Sequence, residues 1–177
     1  MARQLDGLYI GGGFPEIFMG ELERNASLRS EIRSAIEKGM PVYAECGGLM
    51  YLTRSISYQG ERCSMVGVLP CGVEMQRRPM GHGYVLLEHT GKSDWSTGNK
   101  AIRGHEFHHS KVVNLDKIEF AYRMARGQGI DGEHDGILYK NVLASYTHLH
   151  SASVPEWADR FVTLIRKTGF RTGGDAQ

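Results

Sequence analysis

Two short apolar runs, each ending in consecutive glycines, constrain this 177-residue chain more than any other feature. The first is residues 5–10, which stop at Gly11-Gly12-Gly13. The second is residues 41–45, which stop at Cys46-Gly47-Gly48. Between them lies a stretch with Leu28, Ile32, Ala35 and Ile36 on one helical face, closed by Gly39. Asn25 or Ser27 can cap that helix, predicted over residues 28–38. Pro15 and Glu16 suit the first turn of another helix before it, and Leu49, Met50 and Leu52 recur at helical spacing after the second run. The order strand, helix, strand, sharp turn, helix predicts an α/β fold with a mostly parallel sheet flanked by helices.

Beyond residue 58 the pattern is less regular. Residues 65–69, 83–89 and 119–124 read as strands. Residues 136–139 and 142–146, separated by Lys140-Asn141, read as a hairpin. A last helix begins near Pro155 and Glu156 and carries Trp157, Ala158, Phe161, Leu164 and Ile165 on one face. We read residues 1–170 as one domain and the small, polar residues 171–177 as a disordered tail.

Composition narrows the function. Lys and Arg total 21 against 20 Asp and Glu, a formal net charge of +1, which supplies no electrostatic footprint for nucleic acid or an anionic membrane. Three cysteines argue against a disulfide framework and for a reducing, cytoplasmic setting. No run approaches the ~18 apolar residues that span a bilayer. Glycine, at 23 residues, is enriched, as expected where backbone turns tightly or approaches a ligand.

Cys46 carries the strongest chemical signal. Ala44-Glu45-Cys46-Gly47-Gly48 has the small-x-nucleophile-x-small pattern of a strand-to-helix elbow, with Ala where the strict pattern has Gly. A thiol held there sits at a helix N-terminus, which favours the thiolate. The bland alternative is a buried core cysteine. Among eight histidines, His148 follows the strand at residues 142–146, so both groups stand at carboxyl ends of strands, where the ligand edge of a parallel sheet lies. His150 reads as a surface loop residue. N–H groups of Gly12, Gly13 and Gly47 are candidates for an oxyanion hole, a plain tight turn being the alternative. No Gly-x-x-x-x-Gly-Lys-Ser/Thr pattern occurs, so no ATP site is visible. His105, Glu106 and His108 lie in Gly104-His105-Glu106-Phe107-His108-His109, where a substrate-positioning or domain-docking strand is favoured over a metal site. Cys63 and Cys71 read as structural, and Gln76-Arg77-Arg78-Pro79 as a solvated basic loop.

Taken together, residues 8–16, 44–52, 104–108 and 144–150 strongly resemble, in order, the glutamine amidotransferase domain of cobyrinic acid a,c-diamide synthases. The resemblance runs over residues 5–166. It implies a class I-like glutaminase fold in which Cys46 attacks the side-chain amide of glutamine and His148 shuttles protons. It implies a partner: an ATP-dependent synthetase domain, absent from these 177 residues, that holds ATP and Mg and amidates the a- and c-carboxylates of a corrinoid. No cofactor or metal is expected in this chain. The larger amidotransferase class has His-Pro-Glu where this chain has His148-Leu149-His150, a departure shared with the cobyrinate-type branch. Ser151 stands where the family often has an aromatic residue. Two alternatives remain: a glutaminase serving another acceptor (cobyric acid, nickel-sirohydrochlorin or a cell-wall lipid precursor), or a catalytically idle binding module.

Overall fold

The computed structural model describes residues 5–93 and 101–171. In chain order it contains β1 (Leu8–Ile10), a 3-10 turn (Pro15–Ile17), α1 (Met19–Arg24), α2 (Ala26–Glu37), β2 (Val42–Glu45) and α3 (Gly47–Leu52). There follow β3 (Ser55–Tyr58), β4 (Glu61–Ser64), β5 (Gly72–Met75), β6 (Gly81–His89), β7 (Ile102–His108) and β8 (Ser110–Val113). β9 (Glu119–Arg126), β10 (His134–Tyr139), β11 (Val142–Ser145) and α4 (Trp157–Thr168) complete it. The tail predicted at residues 171–177 lies, past Arg171, outside the described residues.

The main sheet has the order β1-β2-β11-β10-β9-β6-β7. β1, β2 and β11 run parallel, with Tyr9, Tyr43 and Leu143 in one row and Ile10, Ala44 and Ala144 in the next. From β11 outward every pairing is antiparallel. The expectation of a mostly parallel sheet therefore holds for the three strands that end at the elbow and is corrected for the rest. The physical reason is connection length: Lys140, at φ 51°, turns β10 straight back into β11, which a parallel neighbour would forbid.

Strand alternation sends successive side chains to opposite faces. Val42, Ala44, Val142 and Ala144 meet Ile32, Ala35 and Ile36 of α2 and the buried residues of α3 in one core. Tyr43 and Leu143 meet Phe161, Trp157 and Ile165 of α4 in the other. Asn25 is the cap of α2, accepting a hydrogen bond from the Leu28 N–H at 3.3 Å.

A second sheet, β4-β3-β5-β8, has no counterpart in the sequence reading. Its four-residue strands are too short to show a period. The chain crosses from the main sheet to this one at His109, between β7 and β8. Residues 65–69, expected as a strand, are buried but join no ladder. Their N–H groups bond the carbonyls of Tyr51, Leu52, Thr53 and Arg54, satisfying the end of α3 and the segment after it.

Close backbone approach explains one glycine here and leaves another free. A Cβ on Gly48 would lie 2.3 Å from the Ile10 carbonyl oxygen, whereas one on Gly13 would meet nothing within 4 Å. Gly48→Ala is expected to cost about 2–3 kcal/mol in urea denaturation, since backbone cannot yield as a side chain does, while Gly13→Ala stays within about 0.5 kcal/mol.

Candidate active site

β2 delivers Cys46 to the end of the parallel strands. Its backbone adopts φ 47°, ψ −102°, a region that residues with a Cβ rarely enter. The Cys46 N–H donates to the Ser145 carbonyl at 2.7 Å, and its own carbonyl accepts from the Met50 N–H at 3.0 Å. The turn is thus held by β11 on one side and α3 on the other.

The triple-glycine loop lies directly against this elbow. A Cβ on Gly47 would fall 2.5 Å from the Gly13 carbonyl oxygen, and one on Gly12 would fall 2.5 Å from Cε1 of His148. Substituents at either position would push the loop off the elbow or the imidazole out of place. Cys46, His148, Gly12, Gly13 and Gly47, predicted from three separate stretches of sequence, are therefore brought together.

The Cys46 thiol donates to the Phe107 carbonyl at 3.8 Å and lies near enough to the His148 imidazole to act on its charge, and His148 Nδ1 lies 3.4 Å from Oε2 of Glu45. The Cys46 and Glu45 contacts hold its imidazolium form well above the ordinary range, up to about 10, against an opposing effect of burial. Its main chain is clamped to β7: the His148 N–H donates to the His105 carbonyl at 2.8 Å, and the His105 N–H returns one at 3.2 Å. The two rings stack, with centroids 4.9 Å apart. Burial and the neighbouring His148 cation lower the pKa of His105.

Asp135, fully buried on β10, pins the segment that carries His148. Its Oδ1 accepts from the N–H groups of Gly136 (2.8 Å) and Tyr146 (3.0 Å). Its Oδ2 accepts from the Thr147 N–H (2.9 Å) and hydroxyl (2.6 Å). Burial raises its pKa, while these four donors pull the other way. Neither Glu45 nor Asp135 was singled out from the sequence. The one clue was that each acid stands in an apolar strand where a charge needs partners.

The block His105, Glu106, His108 divides by strand parity. His105 is exposed beside His148, as a docking or substrate-facing residue would be. Glu106 and His108 are buried, which removes them from an outward docking surface; Glu106 has its partners inside the fold, while His108 stays at the cavity wall. The Glu106 carboxylate accepts from the N–H groups of Gln128 (2.7 Å) and Gly129 (2.9 Å), and His108 Nε2 lies 3.5 Å from it. The His108 ring stacks on Tyr146 at 3.7 Å and its Nδ1 donates to the Ser110 carbonyl at 2.9 Å. Glu106 ties β7 to the turn after β9, and His108 packs β7 against the segment after β11 while also bordering the cavity described next.

A cavity of about 880 Å³ opens over Cys46. The glycine loop forms one wall through Gly13 and Phe14, and the second sheet forms another through Met75 and Ser110. Glu16 and Arg77 also line it. The Gln76–Pro79 segment, expected as a solvated loop, thus contributes a guanidinium to this cavity.

A strand-to-helix elbow bearing a thiol, an imidazole beside it and a glycine loop against both are the parts of a glutamine amidotransferase domain. A crystal structure of a glutamine amidotransferase superposes with a TM-score of 0.67 at 23% identity, covering 92% of this chain and 80% of that one, a likeness of fold. The family model for the CobB/CobQ-like glutamine amidotransferase domain matches residues 1–155, and the chain belongs to that family. It is 47% identical to the cobyrinate a,c-diamide synthase of Magnetococcus marinus over 94% of this chain, and 46% identical to that of Archaeoglobus fulgidus over 92%. In both cases it spans 36% of the relative's length.

Cys71 has its thiol pushed up to about 12 by burial, and Cys63 is raised by desolvation and by Glu23. Iodoacetamide is therefore expected to alkylate Cys46 at least ten-fold faster than either at pH 7.5, by peptide mass mapping. Equal rates at all three would contradict the pairing of Cys46 with His148.

Proposed function

We propose that this chain is the glutaminase component of a cobyrinate a,c-diamide synthase, releasing ammonia from glutamine for an ATP-dependent partner portion. The observation that carries the reading is the contact of Cys46, at its positive φ, with His148 beneath the glycine loop. With the thiol proton held on His148, the Cys46 sulfur attacks the glutamine side-chain carbonyl carbon. The oxyanion is met by N–H groups of Gly47 and of the loop at Gly12 and Gly13. His148 returns the proton to the departing nitrogen, ammonia leaves, and a thioester remains on Cys46. Water, deprotonated by His148, then attacks the thioester and releases glutamate with the free thiol.

Glu16 and Arg77 give the cavity one charge of each sign, matching the α-ammonium and α-carboxylate of glutamine. The remaining two thirds of the relatives' length fits a synthetase portion that binds ATP and Mg and activates carboxylates of a corrinoid. The identities of 46–47% with cobyrinate a,c-diamide synthases support that acceptor over the others. Free thiols at Cys46, Cys63 and Cys71 suit a cytoplasmic setting. No helix among the described residues is long and apolar enough to cross a membrane.

The test is glutamate release from glutamine, measured with the chain alone and with a synthetase portion added. Cys46→Ala is expected to abolish it and His148→Ala to reduce it at least ~10²-fold. Retained activity in Cys46→Ala, or silence of the parent in both settings, would refute the reading. Arg77→Ala is expected to raise KM for glutamine about ten-fold with kcat little changed, the pattern of a residue that binds substrate and transition state equally.

A further inference from the structure

A histidine that passes protons to and from a thiol needs one tautomer. Nδ1 must carry the proton so that Nε2 offers its lone pair to sulfur. Position 150, where a carboxylate would serve in the larger class, cannot do this. His150 is exposed, and its Nδ1 accepts the Ala152 N–H at 3.0 Å within its own loop.

The group at His148 Nδ1 is Glu45. Its Oε2 faces Nδ1 at 3.4 Å and the Tyr9 hydroxyl at 3.2 Å. Its Oε1 accepts from the Tyr43 hydroxyl at 2.9 Å and the Leu149 N–H at 3.1 Å. The side chain is 5% exposed, and all four of its contacts are donors. Burial disfavours the charged carboxylate, but the donors from His148, Leu149 and Tyr43 outweigh it and hold the pKa below the ordinary value. Register explains the placement. Glu45 pairs with Ser145 across the parallel β2–β11 ladder, so it stands beside the segment that leaves β11 toward His148. The tyrosines that hold it are themselves packed: Tyr43 stacks on Trp157 of α4 at 5.1 Å and on Tyr9 at 5.8 Å.

We propose that Glu45 is the positioning carboxylate of this site, holding the Nδ1 proton of His148 so that Nε2 is presented to Cys46. The orienting acid then comes from the residue before the nucleophile rather than from two residues after the histidine. The positive φ at Cys46 makes this compatible, because it turns the thiol away from the line of β2 while Glu45 stays in the strand. The catalytic consequence rests on the glutaminase reading; the tautomer and titration of His148 do not.

The groups facing the His148 ring are Cys46 and Glu45 from β2 and its turn, and His105 from β7; His150 follows in its own loop. Glu45→Gln keeps the shape and removes the charge. Side-chain NMR titration of His148 in this variant is expected to shift downward by about one unit or more from the parent. Glu45→Asp, which keeps the charge on a shorter stem, should recover part of the shift. Glutamate release by Glu45→Gln should fall at least ~100-fold in kcat with KM little changed. A carboxylate that merely ties β2 to its neighbours would leave the titration in place. An unchanged His148 titration in a folded Glu45→Gln chain would overturn the proposal. A second measurement needs no substitution: ring ¹⁵N shifts of His148 in the parent chain, followed upward in pH through its titration to the neutral form, should report the Nδ1–H tautomer, and the Nε2–H tautomer would overturn it equally. Both readouts persist if glutamine proves not to be the substrate.

Discussion

A residue with a side chain held at φ 47° at the end of a strand is a local strain of order 1–3 kcal/mol, and it persists only where its surroundings over-determine it. Cys46 is over-determined from three directions. β11 takes its N–H, α3 takes its carbonyl, and the Gly11–Gly13 loop closes over the turn. Each restraint demands something specific of the sequence. The parallel neighbours must end at the same level, which the β1, β2 and β11 register ensures. Gly47 and Gly48 must lack Cβ atoms because Gly13 and Ile10 backbone occupy that space.

The second half of the site is arranged by hydrogen bonds rather than strain. The loop after β11 has no regular structure of its own, so its main-chain polar groups need partners elsewhere. Asp135 supplies acceptors for Tyr146 and Thr147, β7 supplies a two-way bridge to His148, and Glu45 accepts from Leu149. Buried carboxylates are costly without donors, and here each is surrounded by them. The antiparallel wing thus acts at the site: β10 carries Asp135 and β7 carries the His105 bridge. The second sheet supplies the far wall of the cavity over Cys46.

Much of this was legible. The elbow, the helix capped at Asn25, the hairpin at Lys140-Asn141 and the last helix follow from apolar periodicity and turn chemistry, which are local. The pairing of Cys46 with His148 was reached from topology, since both follow strands of one parallel layer. Residues 65–69 misled because a short apolar run does not reveal whether its N–H groups join a ladder or close a helix end. β3, β4, β5 and β8, four residues each, were too short to show alternation. Strand parity put Glu106 and His108 on one face of β7 and His105 on the other, but only the packing decided that the face with Glu106 and His108 is the buried one.

The chain by itself determined the elbow at Cys46 and the glutamine amidotransferase class, because these depend on residue types within a few positions of one another. Tertiary structure alone decided which acid serves His148. Glu45 and His148 are separated by about a hundred residues and meet through the β2–β11 register and two tyrosine hydroxyls. A hydrogen bond depends on distance and direction in space, and neither is written in the spacing of residues along the chain.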